Sequence, residues 1–105
     1  MPLLSKELKA RLPALNAQEA EDNPTVYARL FLPQTSLTWY VLGGEATGGS
    51  DFMLSCLFIS REEYSFGHFP ESFLKQFRGP NLETVIEDTL FQEGRLTDVV
   101  PAPDV

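Results

Sequence analysis

Apolar residues recur along this chain with two different periods, and each period predicts a different element. Leu4, Leu8 and Leu12 share one helical stripe, Ser5 stands where its hydroxyl can cap the first turn of "KELKARL", and Pro13 stops the pattern. A short amphipathic helix is expected there. The following "PALNAQEAEDNP" is polar and acidic between two prolines, so it reads as a solvated connector, with "NAQEAE" able to add a turn of helix. From Thr25 the period falls to two: Val26, Ala28, Leu30 and Leu32 alternate with Tyr27, Arg29 and Phe31, as in a strand. "PQTS" supplies turn chemistry before the β-branched and aromatic "LTWYVL", which completes a first hairpin. "DFMLSCLFIS" is apolar on both sides, which suits a central strand, and "REE" turns it into "YSFGHF".

"PESFLKQFRGP" has the punctuation of a second helix over residues 70–78, with Pro70 and Glu71 in its first turn, an apolar stripe of Phe73, Leu74 and Phe77, and Gly79-Pro80 as its stop. "ETVIEDTLF" alternates again and predicts a fifth strand. The expected fold is α+β: an antiparallel sheet of four or five strands in chain order, with two short helices packed mainly on one face. Residues 1–100 form a single two-layer domain in this reading, and 101–105 a frayed tail.

The segment "GGEATGGSD" raises the question of a phosphate-binding loop. Such a loop needs a Lys followed by Ser or Thr, or GxGxxG spacing, leading into a helix whose amides face the anion. Here Glu45 and Asp51 would repel an anion and a strand follows, so the segment is expected to be an acidic hairpin loop.

Composition narrows the chemistry. With 43% hydrophobic and 11% aromatic residues the chain should fold, and its formal charge of -7 opposes direct binding to nucleic acid. Cys56 is the only cysteine, so neither an intramolecular disulfide nor a cysteine-based zinc site is available. No apolar run approaches a signal peptide or a membrane span, and the cytoplasm is the expected location. No cofactor or metal is implied.

Among single residues, Cys56 shares a face with Phe52, Leu54 and Phe58 and is expected as inert core, and Trp39 joins Leu37 and Val41 on the helix-covered side. His68, the only histidine, lacks metal-ligand spacing and reads best as a strand-end residue. The opposite sheet face would carry Tyr27, Arg29 and Phe31 beside Thr38, Tyr40 and Leu42. Tyr and Arg are enriched in interface hot spots, so Tyr27, Arg29, Phe31 and Tyr40 are the candidate protein-binding residues.

In order along the chain, "LLSKELKARLP", "ARLFLPQTSLTWYV", a glycine-rich acidic loop into "DFML", "SFGHF", "FRGP" and "GRLTDVV" resemble the small bacterial family catalogued as domain of unknown function 2958. The resemblance spans Leu3 to about Val100. The family-like positions are Lys6, Glu7, Leu12, Pro13, Phe31, Pro33, Thr38, Trp39, Gly67, Phe69, Arg78 and Gly79. The chain departs at Pro70, where a polar helix cap is commoner, and in "NLETVIEDTLF", where the family is more basic. The resemblance implies a bacterial protein of the kind found on plasmids and other mobile elements, and it carries over no catalytic residue.

The leading functional expectation is a non-catalytic accessory or regulatory module that binds another protein, a second copy of the chain being one such partner. Its alternative is an acidic mimic of DNA that occupies a host nuclease or restriction complex, for which Glu45, Asp51, Glu62, Glu63, Glu87 and Asp88 would have to line one face as a stripe. A third is a small hydrolase using His68 with Glu71 or Glu63, which requires a carboxylate within hydrogen-bond reach of the imidazole in a concave pocket.

Overall fold

Ser5 caps the first helix as its position predicts: its Oγ accepts the amide of Leu8 at 3.1 Å, and α1 runs over Lys6–Arg11. The computed structural model describes residues 3–61 and 63–101. Beyond α1 come β1 (Thr25–Val26), β2 (Ala28–Phe31), β3 (Thr38–Ala46), β4 (Phe52–Ser60), β5 (Glu63–Pro70), α2 (Glu71–Leu74), β6 (Ile86–Glu87), β7 (Gly94–Arg95) and α3 (Leu96–Val99). The main sheet is antiparallel in the order β5-β4-β3-β2-β6, and β1 pairs with β7 in a separate two-stranded sheet. The expected α+β architecture, with antiparallel strands following chain order from β2 to β5, is what the chain adopts.

Alternation sorts the apolar side chains onto two faces. The first carries Leu4 and Leu8 from the α1 region and Leu74 of α2, packed with Ala28, Leu30, Trp39, Val41, Leu54 and Cys56. Trp39 is its centre, with ring centroids 5.1 Å from Phe58 and 5.4 Å from Phe77. Burial pushes the Cys56 thiol above its ordinary range, consistent with the inert core role expected of it. The second face carries Val26, Tyr40, Leu42, Leu57 and Ile59, covered by Phe91, Leu96, Val99 and Val100.

Several local expectations need correction. The first strand is interrupted at Tyr27: Val26 belongs to the second-face cluster, whereas Ala28, Leu30 and Leu32 belong to the first. Gly43 and Gly44 lie within β3, not in the hairpin loop, next to a register shift at Leu42. A Cβ on Gly43 would stand 2.8 Å from the Ala14 carbonyl oxygen, so glycine is needed for close approach of the connector. That connector is docked, with the Gly44 amide donating to the Pro13 carbonyl at 3.0 Å.

α2 ends at Leu74 because the bonds that follow, Gln76 N to Phe73 O and Phe77 N to Leu74 O, tighten to three-residue spacing and bring Phe77 down on Trp39. The fifth strand is only two residues long. Asp88 Oδ1 accepts the Leu90 amide at 3.0 Å, a local turn that competes with the ladder. The segment from Gly94, which carried no expected element, forms β7 and α3. Residues 102–105 of the expected tail lie outside the described residues.

Candidate functional site

Three of the four residues expected to form an open aromatic surface are at least partly engaged inside the protein. Tyr40 is only 5% exposed, 6.2 Å from the ring of Phe91. Tyr27 packs against the first-face core. Arg29 donates to Asp88 at 3.1 Å and stacks over Phe31, 4.7 Å from its centroid. The expected open patch of Tyr27, Arg29, Phe31 and Tyr40 is therefore corrected: Phe91 of the C-terminal segment covers Tyr40, Tyr27 packs with the other face, and Arg29 is held by Asp88 and Phe31. The signal that sequence alone did not reveal is a pair of side-chain amide clamps, one that fastens the connector to the strands and one that fastens it to the C-terminal segment.

One clamp is Gln18. Its amide Nε2 donates to the carbonyls of Thr25 (2.8 Å) and Leu42 (2.6 Å), and its Oε1 accepts the Thr25 amide at 2.7 Å. The other is Asn23, whose side chain donates to Thr97 Oγ1 at 3.0 Å and accepts the Thr97 amide at 3.0 Å. The Leu96 amide adds a bond to Pro24 O at 2.8 Å.

The candidate carboxylates do not share one face. Glu45 accepts the Leu15 amide at 2.9 Å, and Asp51 accepts the Ser72 amide and hydroxyl at the end of β3 and β4 where the hairpin loop lies. Those bonds, from the Ser72 hydroxyl first and the Phe52 and Ser72 amides after it, hold the Asp51 carboxyl below its ordinary value. Glu63 begins β5 at the opposite end of that hairpin's second strand, roughly 26 Å away along β4. Glu87 and Asp88 lie at the β6 edge, four strand spacings or roughly 19 Å across the sheet from β5. Desolvation raises the Glu87 carboxyl, with Arg11 opposing and Asp88 adding to the shift. Glu62 lies outside the described residues. This dispersal does not supply the stripe that DNA mimicry needs.

His68 is exposed and lines a cavity of about 310 Å³ with Leu15, Gln18, Leu42, Ser55 and Phe66, while Glu19 and Glu21 of the connector stand at its acidic side. Ser55 is its cross-strand neighbour. Neither carboxylate expected for a hydrolase is beside it. Glu71 is buried on the first face, accepting the Leu4 amide at 3.1 Å and pairing with Lys9 Nζ at 3.0 Å, and Glu63 is five residues away at the far end of β5. No group of three His, Cys, Asp or Glu side chains gathers as a metal site among the described residues.

The remaining feature is the strand that carries His68. β5 lies at the edge of the main sheet and pairs only with β4 among the described strands. Between Glu63 and Pro70 the sequence "YSFGHF" contains no proline, lysine or carboxylate, the devices by which sheet edges are commonly protected. Phe66, on the same face as the cavity, is 67% exposed. No helix of the described chain is long and apolar enough to cross a membrane. No protein-family model, curated protein or solved structure matches the chain.

Proposed function

We propose that this protein is a non-catalytic accessory module that binds another protein along β5. The observation that carries this reading is the eight-residue edge strand, unguarded in its centre and flanked by the exposed ring of Phe66. An edge strand offers main-chain donors and acceptors to an incoming strand, and an aromatic side chain beside it provides an anchor. The surface first expected around Tyr40 is occupied by the chain's own C-terminal segment, which leaves β5 as the longest strand edge open to a partner among the described residues.

The test is site-specific photocrosslinking in bacterial cells that express the full chain. A benzophenone amino acid at position 66 should yield one dominant covalent adduct with another protein, and the same group at Leu82, an exposed residue in the turn after α2, should not. Equal adduct patterns at both positions, or none at position 66, would sink the proposal.

A further inference from the structure

The cavity beside β5 specifies the chemistry of the segment that would add to it. Side chains of Tyr64, Phe66 and His68 alternate onto the second sheet face, opposite Ile59, Leu57 and Ser55. A strand laid along the free edge of β5 would stand about 4.8 Å away and project every second side chain over that same face, beside Phe66 and His68. There it would meet the cavity of about 310 Å³, with an apolar floor that includes Leu42 and a connector wall that carries Glu19 and Glu21. Glu19 and Glu21 are the charged residues of its lining, and no lysine or arginine is among the residues that line it.

We propose that β5 accepts an extended segment of a partner protein in which apolar and basic residues alternate, with lysine or arginine side chains directed to Glu19 and Glu21. The inference rests on the reading of β5 as the docking edge and adds the partner's chemistry to it. Three features act together: main-chain pairing gives register, Phe66 packs against the aliphatic stem of the basic side chain, and the carboxylates favour its charged end. A second copy of the chain is the less favourable occupant. It brings its own charge of -7 and offers "YSFGHF", which contains no lysine or arginine.

The test uses the full chain and fluorescein-labelled decapeptides, read by fluorescence anisotropy. A peptide alternating valine and lysine should bind saturably and more weakly as salt rises. The valine–glutamate counterpart should not bind, and N-methylation of alternate valine–lysine backbone amides, which removes the ladder donors, should weaken binding at least tenfold. The double variant E19Q/E21Q, whose two sites are exposed, should keep its circular dichroism spectrum and lose roughly threefold to tenfold in affinity. Equal binding of the N-methylated peptide, no effect of E19Q/E21Q, or absence of valine–lysine binding overturns the inference. If the position-66 adduct still forms in any of those cases, the edge reading stands and only the partner's chemistry is wrong. Sedimentation as a dimer that the peptide cannot dissociate would identify a second copy as the occupant and also overturn it.

Discussion

The two faces of the sheet are covered by different physics. On the first, helices lay leucines over Trp39 and its aromatic neighbours, and a buried carboxylate, Glu71, bonds both the Leu4 amide and Lys9 so that the chain leading into α1 cannot lift away without stranding a charge. On the second, the C-terminal segment covers a smaller apolar cluster, and side-chain amides of the connector bond to the backbone of the strands and of that segment. Burial of apolar area is non-directional and tolerates small displacements, whereas an amide clamp works only at hydrogen-bond distance. The first face should therefore dominate global stability, and the second should open locally under conditions that leave the first intact.

Trp39→Ala should show the largest effect. The indole is fully buried in the densest aromatic contact of the molecule, and truncation of such a residue costs about 3–5 kcal/mol in urea unfolding followed by circular dichroism. Its Nε1 has no hydrogen-bond partner among the described residues, so Trp39→Phe should recover much of that loss by removing an unsatisfied donor along with some volume. A Trp39→Ala cost no larger than that of a second-face variant would erase the distinction between the faces.

Glu71→Ala comes next, at about 3 kcal/mol, because it leaves the Leu4 amide and the Lys9 ammonium without their acceptor. Glu71→Gln keeps an acceptor for Leu4 and should lose less in the same denaturation. Equal losses would place the stabilisation in the ion pair alone.

Gln18→Ala should cost about 2 kcal/mol, since it deletes three hydrogen bonds at once. Its decisive readout is local: amide exchange at Thr25 should accelerate while Trp39 fluorescence stays unchanged. A shift in Trp39 emission would mean that the two faces are coupled more tightly than their contacts indicate.

The smallest effects are pH-dependent and opposite in sign. Asp51 has a lowered folded-state value, so its stabilisation is complete above its ordinary value of 3.8 and is lost as pH falls through the lowered one. Glu87 has a raised folded-state value, so its charge opposes folding above that value, and the penalty vanishes below 4.5. Thermal melts should show Asp51→Asn slightly less stable and Glu87→Gln slightly more stable than the parent at neutral pH, with both differences shrinking in acid. A neutral-pH difference that persists unchanged at acid pH would assign either effect to packing instead of charge.

Much of the first face was legible in the sequence because its signals are local. Ser5 lies three residues before the amide it caps, and Trp39, Val41, Leu54 and Cys56 are assigned to their face by the two-residue period of a strand. The candidate site was legible only in part. "YSFGHF" reads as a strand, but nothing in it says that the strand lies at an edge, and the exposure of Phe66 follows from that placement.

By itself the sequence determined the alternation of strands, the helix cap and the α+β class, all of which depend on neighbours within a few residues. The tertiary structure decided what covers each face. Tyr40 appeared open because the residues that bury it are remote: Phe91 reaches it only after the chain turns at Asp88, and the clamps join Gln18 to Leu42 across 24 residues and Asn23 to Thr97 across 74. A glutamine or asparagine in an acidic connector carries no periodic signal, and its amide becomes a clamp only when folding brings an unpaired backbone group within about 3 Å.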